Sequence, residues 1–296
     1  MELQQLLYFE TVAKLEHMTK AAEKLHITQP ALSRAISRLE GDMGTKLFDR
    51  IGRQIKLNEY GLILLEHLKR SFKELEEAER KIKDLSQKEK STVSISTSST
   101  SLMPYILAEF KKSNPDVIVK LTQNSIEEVY DNLIDGKFDF CLTSTFFSDE
   151  NILLEPILEE EILVLVPNTS KYLNKAFFSL EELKSENLIV MNSEYESRKM
   201  IDEFLNYHDM LSNIAFEVND TLTLGEMISL GLGISFIPQL TWKRLNVLFG
   251  KNILAISIKD INYKRTLFIG RLKNRYLSNA SKEFYDFTKE QFTALL

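Results

Sequence analysis

The chain has 296 residues, 44% of them hydrophobic and 27% charged, and a formal net charge of −6. This balance is typical of a globular protein with two or three domains and excludes a disordered or membrane-spanning chain. The longest apolar runs fall far short of the roughly 20 residues that cross a bilayer, and the N-terminus has no secretory pattern. We therefore expect a cytoplasmic protein without a membrane partner.

The cysteine and histidine content limits the possible chemistry. One cysteine, Cys141, excludes an intrachain disulfide, and its apolar surroundings favour a buried strand thiol over a redox sensor. The four histidines are scattered and never stand at ligand spacing, which argues against a metal site. The segment Gly231-Leu-Gly233 lacks the third glycine of a dinucleotide loop, and no nucleophile has a partner base. We expect neither a cofactor nor catalysis.

The charge is unevenly distributed along the chain. Residues 1–90 carry 17 Lys and Arg against 15 Asp and Glu, whereas residues 91–296 carry 20 against 28. Phosphate contacts are local, so a small basic excess suffices if the basic side chains gather on one face. A nucleic-acid partner for the N-terminal part is therefore compatible with the negative total.

The N-terminal part contains a predicted helix-turn-helix. Periodicity predicts a helix over 18–25, a turn over 26–28 and a second helix over 29–39, with Thr28 as its N-cap and Pro30 in its first turn. A helix of this width enters the major groove, where Gln reads adenine and Arg reads guanine or holds phosphate. The alternative is an ordinary helical hairpin with a solvated polar face.

A basic hairpin is predicted directly after these helices. Residues 44–58 indicate two short strands whose turn contains Gly52, a wing suited to backbone or minor-groove contact. The predicted contacts to double-stranded DNA, from the second helix and the wing together, are Thr28, Gln29, Pro30, Ser33, Arg34, Ser37, Arg38, Arg50, Arg53 and Lys56.

A long helix is predicted from Asn58, its N-cap, to about Ser86. Its apolar residues recur at steps of three and four and form one stripe, namely Leu65, Leu68, Phe72, Leu75, Ala78, Ile82 and Leu85. We expect a second copy of the chain to cover this stripe, which makes a homodimer. The alternative is packing against the chain's own C-terminal domain.

Strands and helices alternate after a polar hinge at 87–92. The pattern predicts strands at 93–99, 117–123, 138–143, 161–166, 187–191, 216–218, 234–237 and 266–271, and helices at 102–112, 126–135, 179–184, 197–207, 221–230 and from about 279. Such alternation is typical of an α/β fold with largely parallel sheets, and the length allows two lobes.

The N-terminal residues resemble the LysR-type transcriptional regulators in type and spacing. The resemblance lies in Ala21, Ala22, Leu25, Gln29, Pro30, Ala31, Ser33, Ile36, Leu39, Glu40, Gly44, Leu47, Phe48, Arg50, Arg53, Leu57 and Gly61. Thr28 stands where a serine is usual, and Asn58-Glu-Tyr60-Gly replaces Thr-x-Ala-Gly. Neither departure removes the cap or the residues suited to the groove.

The C-terminal part is similar to the same family more loosely, above all at 230–238. The resemblance implies an all-α winged helix-turn-helix at 1–58, a dimerising linker helix at 59–88 and an α/β effector domain at 89–296. The two lobes of that domain, about 92–166 plus 266–296 and 167–265, would be like those of periplasmic solute-binding proteins. The resemblance also implies homotetramers on an interrupted palindrome, contact with RNA polymerase and control by a small-molecule effector.

The predicted effector site begins at Ser98, Ser99, Thr100 and Ser101, between a strand and the N-terminus of a helix. Hydroxyls and free backbone N–H groups there suit an anion such as a carboxylate, although such loops also serve as helix caps. The further cleft candidates are Thr145, Ser193, Arg198 and Thr221. Arg198 could pair with a second carboxylate or lie on a helix surface.

Two other classes of binding protein share part of this pattern. A solute-binding protein would share the second half of the chain but lack the helix-turn-helix. Another class of one-component helix-turn-helix regulator would lack a linker helix of this length followed by two α/β lobes. The sequence therefore favours an effector-controlled regulator of the LysR type.

Overall fold

The computed structural model describes residues 1–51, 54–86, 91–98, 103–193, 195–259 and 263–294. The chain divides into two compact units, Met1–Ile82 and Lys83–Leu296. Among the described residues, no helix is long and apolar enough to span a membrane.

The N-terminal unit is a three-helix domain followed by a hairpin and a long helix. Its elements are α1 (Leu3–Leu15), α2 (Met18–Lys24), α3 (Gln29–Met43), β1 (Phe48–Ile51), β2 (Gln54–Leu57) and α4 (Glu59–Ser86). The predicted helix-turn-helix and hairpin are both present. Helix α3 continues four residues beyond its predicted end and stops at Gly44, whose φ of 71° lies in the left-handed region that favours glycine.

One apolar core holds the three short helices together. Phe9, Leu32 and Leu39 are fully buried in it, and the small residues Ala21 and Ala22 let α2 approach its neighbours closely. The packing of α2 against its neighbours therefore depends on a few large side chains set against two alanines.

Helix α4 shares this core at its N-terminal end. Leu65, Leu68 and Phe72 pack against the core of the three-helix domain, so the expectation that a second copy covers the stripe is wrong for this part. Farther along, Leu75, Ile82 and Leu85 are 56%, 67% and 81% exposed. Among the described residues, the exposed part of the stripe is therefore its C-terminal half.

Polar groups tie the hairpin to the helices at several points. The buried carboxylate of Glu40 accepts hydrogen bonds from the backbone N–H of Leu47 (3.0 Å) and from Lys46 (2.7 Å). Asn58 caps α4, because its Oδ1 accepts from the N–H of Gly61 at 3.0 Å. These bonds fix the wing relative to α3.

Gly61 stands where α4 passes against the loop before the wing. A Cβ at this position would lie 2.2 Å from the backbone oxygen of Leu47 and 2.7 Å from Leu57 Cδ1, whereas one at Gly41 in α3 would meet nothing within 4 Å. Glycine is therefore required at position 61 for packing and is dispensable at position 41.

Exchanging each of these glycines for alanine separates the two situations. Gly61→Ala is expected to destabilise the chain by about 1–3 kcal/mol through overpacking. Gly41→Ala should stabilise it by about 0.5–1 kcal/mol, because alanine loses less entropy in a helix. Denaturant unfolding followed by circular dichroism measures both, and equal effects would show that the close approach at Gly61 is not a constraint.

The C-terminal unit contains the remaining elements. The first group is β3 (Thr92–Thr97), α5 (Met103–Ser113), β4 (Ile118–Gln123), α6 (Ile126–Ile134), β5 (Phe140–Thr143) and β6 (Ile152–Pro167). The second is β7 (Phe177–Phe178), α7 (Leu180–Leu183), β8 (Leu188–Met191), α8 (Glu196–Tyr207), the 3-10 turn Leu211–Asn213, β9 (Ile214–Val218), α9 (Thr221–Ser229), β10 (Ser235–Pro238), α10 (Gln239–Phe249), β11 (Ile253–Ile258), β12 (Lys264–Leu272) and α11 (Asn279–Ala294).

Two lobes share the long strand β6. Lobe I is the sheet β4-β3-β5-β12-β6 with α5, α6 and α11, and lobe II contains β7–β11 with α7–α10. The first part of β6 pairs with β12, and the part from Ile162 to Pro167 pairs with β10 and β11. Each lobe has its own apolar core, around Phe110, Phe140 and Phe284 in lobe I and around Val164, Leu188 and Phe236 in lobe II.

The sheets are mixed, which corrects the expectation of largely parallel ones. The pairs β3·β4, β3·β5 and β8·β9 are parallel, whereas β6 and β12 make only antiparallel pairs with the strands given for them. The predicted strand at 161–166 is the second part of a strand of 16 residues. The register shifts beside Pro156, and this bulge hides the first part of β6 from pattern reading.

Candidate functional site

The outer face of α3 is polar and exposed. Leu32, Ile36 and Leu39 face the core, and Ser33 is half-buried. The exposed predicted contacts in and just before this helix are Thr28, Gln29, Pro30, Arg34, Ser37 and Arg38. One helix therefore presents groove-reading side chain types on one side and is held by apolar packing on the other.

Helix α3 begins at the predicted residue, but the predicted capping hydrogen bond is not formed among the described residues. Thr28 is the N-cap residue and Pro30 lies in the first turn. The Thr28 hydroxyl makes no capping hydrogen bond to the described residues, so the predicted side-chain cap is wrong. Proline at this place costs no hydrogen bond, because the first N–H groups of a helix have no partner within it.

The basic residues of the wing are only partly described. Lys56 is exposed in β2, opposite Asp49 of β1 in the strand register. Arg50 lies in β1, but its side chain is outside the described part, and Arg53 lies outside the described residues altogether. On α3, Arg38 lies 3.3 Å from Glu2 in an exposed ion pair, which solvent and phosphate would readily replace.

A second site lies in the C-terminal unit, where the parallel strands β3 and β5 end side by side. Ser98 follows β3, and Thr143, Ser144 and Thr145 end and follow β5. These four residues, here called the cradle, surround the carboxylate of Glu196, the first residue of α8 in lobe II. Four donors converge on it: Ser98 Oγ (2.6 Å), Thr143 Oγ1 (2.6 Å), Ser144 N–H (2.6 Å) and Thr145 N–H (2.9 Å).

Comparison with known protein families covers both units. Residues 3–62 match the model of the bacterial regulatory helix-turn-helix protein, lysR family, and residues 86–293 match that of the LysR substrate binding domain. The chain belongs to the LysR family. It is thus a DNA-binding transcription regulator with an effector-binding domain.

Individual relatives agree with this assignment over nearly the full length. The HTH-type transcriptional regulator YybE of Bacillus subtilis is 33% identical over 99% of this chain and 100% of its own length. Full-length CbnR, solved with its target DNA, has a TM-score of 0.62 at 21% identity and covers 98% of this chain and 99% of its own. The effector-binding domain of QuiR, solved with shikimate, covers 69% of this chain and 97% of its own, with a TM-score of 0.56 at 20% identity.

The residues of this LysR protein that were predicted to bind the effector do not all lie in one site. Ser98 and Thr145 come together in the cradle, whereas Ser99, Thr100 and Ser101 lie outside the described residues. Ser193 is exposed in a turn, and Thr221 begins α9 without capping it, because the carboxylate of Asp220 accepts from the N–H groups that follow.

Arg198 is occupied by groups of its own lobe. Its guanidinium donates to Asp202 at 2.7 Å, to Glu217 at 2.9 Å and to the backbone oxygen of Met191. The side chain is only 11% exposed. Arg198 therefore joins α8 to the strands β8 and β9 within lobe II, a role that neither of the two predicted alternatives described.

Glu196 was missed by sequence reasoning. An acidic residue in the first turn of a helix is ordinarily explained by the helix dipole, and no pattern relates it to strands 53 and 98 residues earlier. Beside it lies a cavity of about 20 Å³, lined among others by Thr143, Glu196 and Arg265, with room for one water molecule. This cavity is too small for an organic effector.

Cys141 lies in β5, two residues before Thr143, and is fully buried. Burial raises the pKa of its thiol to about 12, so almost no thiolate forms near neutral pH. The thiol packs so closely against Gly270 that a Cβ there would come within 2.5 Å of the sulfur. The prediction of a buried strand thiol is confirmed.

A buried ion pair lies where β6 passes from lobe I to lobe II. Arg265 Nε donates to Glu160 Oε1 at 2.6 Å, and the N–H of Leu240 at the start of α10 donates to Glu160 Oε2 at 2.8 Å. The two side chains are 4% and 1% exposed. The neighbouring pair Lys264–Glu159 is longer, at 3.7 Å, and exposed.

These neighbouring pairs provide a matched test of burial. Arg265→Met is expected to cost about 3–5 kcal/mol, because it leaves the Glu160 carboxylate buried without its cation. Lys264→Met should cost about 0–1 kcal/mol. The fluorescence of Trp242, the single tryptophan, reports urea unfolding of this unit.

The double variant Glu160→Gln with Arg265→Met should recover part of the loss, since it removes the uncompensated charge. If Arg265→Met and Lys264→Met lower the free energy of unfolding equally, the buried pair does not stabilise the point where β6 passes between the lobes.

Proposed function

We propose that this LysR protein binds a double-stranded DNA operator through the polar face of α3 and through its wing. Thr28, Gln29, Pro30, Ser33, Arg34, Ser37 and Arg38 are the proposed contacts of α3, and Arg50, Arg53 and Lys56 are those of the wing. The observation that carries this proposal is the division of α3 into a buried apolar side and an exposed polar side with two arginines. The proposed site of action is the cytoplasm.

Each contact class has its own physical task. Gln29 and Arg34 stand in the first turns of α3, the part of a recognition helix that reaches base edges. The basic side chains of the wing suit phosphates or the adjacent minor groove, where positive charge is attracted without reading sequence in detail. Sequence specificity would therefore come from α3, and α3 and the wing would together supply a large share of the affinity for DNA.

We further propose self-association through α4. Its exposed residues Leu75, Ile82 and Leu85 continue a stripe whose first part is already buried, and a second copy supplies a matching stripe. A homodimer places two α3 helices on two half-sites, and the family resemblance extends this to a homotetramer that contacts RNA polymerase.

A small anionic effector is the proposed signal, and it acts between the two lobes. Support comes from the hydroxyls and backbone N–H groups at the ends of β3 and β5, which surround a carboxylate in this structure. The effector domain of QuiR, similar in fold, was solved with shikimate, an organic acid anion.

Fluorescence anisotropy with the DNA upstream of the chain's own gene tests the operator proposal. Arg34→Ala is expected to weaken specific binding by about 1–3 kcal/mol, because a base contact is lost while the fold is kept. Arg70→Ala, which removes the same charge from an exposed pair on α4, is the matched control and should leave affinity nearly unchanged.

Two further conditions make the result decisive. Random DNA as competitor separates specific from electrostatic binding, and two salt concentrations give the number of phosphates neutralised. A folded Arg34→Ala variant with wild-type affinity and specificity would show that α3 is not the recognition helix.

A further inference from the structure

The cradle has the construction of a carboxylate-binding site. Its two hydroxyl donors, Ser98 and Thr143, are 7% and 1% exposed, and its two backbone donors follow the end of β5. Strand ends at one edge of a parallel sheet are a common place for ligands, because N–H groups that have left the ladder point into the crevice. A carboxylate accepts such bonds with both oxygens and gains from each.

The carboxylate that fills the cradle comes from the other lobe. Glu196 is 6% exposed and lies at the N-terminus of α8, whereas Ser98 and Thr143 belong to lobe I. Both of its oxygens accept hydrogen bonds. Oε2 accepts from the Ser98 hydroxyl, and Oε1 accepts from the hydroxyl at the end of β5 and from the two backbone N–H groups that follow it. Lobe II thus presents to lobe I the group that an anionic effector would present.

We propose that Glu196 is an internal ligand of the cradle, and that a free carboxylate binds there only by displacing it. The inference rests on the proposed function in one respect, that an effector acts between the lobes, and it narrows the effector to carboxylic acids. Displacement breaks the four hydrogen bonds by which Glu196 joins α8 to the ends of β3 and β5, so effector binding removes a contact between the two lobes.

The side chain of Glu196 competes better for the cradle than a free carboxylate does, so an effector needs contacts beyond its carboxylate group. Glu196 is tethered, so its effective concentration at the cradle exceeds that of a free small anion. Acetate alone therefore competes poorly, and an effector needs additional contacts to the lobes. Removing the side chain of Glu196 should leave a cradle open to acetate.

The test uses the full chain and acetate as the probe. Glu196→Ala should lower the Tm reported by Trp242 fluorescence by about 3–10 °C, because buried donors lose their acceptor. Acetate at about 100 mM, against chloride at equal ionic strength, should restore at least half of that shift by binding the folded state. Wild type should show no acetate-specific shift.

A control and a second variant complete the design. Glu203→Ala removes an exposed carboxylate from the same helix and should respond to acetate like the wild type. If Glu196→Ala does not fold, Glu196→Ser takes its place, because the shorter side chain leaves the cradle open to acetate and serine is well tolerated at the start of a helix. A folded Glu196 variant whose Tm is the same in acetate and chloride overturns the proposal.

Failure of this inference is distinguishable from failure of the proposed function. The acetate titration needs neither operator nor effector. If operator affinity of the wild type responds to an organic acid while the Glu196 variants ignore acetate, the effector site lies elsewhere and regulation stands. Acetate rescue without any response of operator affinity to organic acids supports the internal ligand and contradicts the proposed effector control.

Discussion

Strand β6 is the constraint on which the C-terminal unit depends. It pairs with β12 in lobe I and with β10 and β11 in lobe II, so both sheets are built on one continuous backbone. Where it crosses, the buried pair of Glu160 and Arg265 also receives the N-terminus of α10. A buried carboxylate is costly unless its donors are in place, which makes this crossing intolerant of small displacements. Any movement of one lobe relative to the other must therefore leave this part of β6 and its buried ion pair in place.

The same chemistry recurs where elements of this protein meet. Glu40 accepts from a backbone N–H of the loop that leads to the wing, and Glu16 accepts from the N–H of Leu57 at the end of β2. Glu196 does so between lobes. A carboxylate can take several donors at once, so one acidic side chain fixes a backbone segment that has left its ladder. These acidic side chains therefore hold elements of the fold together, although they are charged.

Sequence reasoning succeeded where the cause is local. Helices α2 and α3 follow from apolar spacing and from residues such as Pro30. Helix α4 was predicted because Asn58 is a capping residue before a long stripe. It failed where the cause is distant. Pro156 and the acids around it conceal the first part of β6, and Glu160 finds its partner 105 residues away. Ser98 and Thr145 were candidates on chemical type, but the carboxylate they hold is visible only in three dimensions.

The nature of the cradle restricts what could replace Glu196. If the side chain leaves, two hydroxyls and two backbone N–H groups lose their acceptor in a site with little water. An unsatisfied buried donor costs about 1–3 kcal/mol, so an apolar ligand of the same size would leave a deficit that its own burial hardly offsets. A carboxylate restores all four bonds. Under the proposed displacement of Glu196, selection between effectors begins with the acceptor they offer at the ends of β3 and β5, before any contact with the remainder of the cleft.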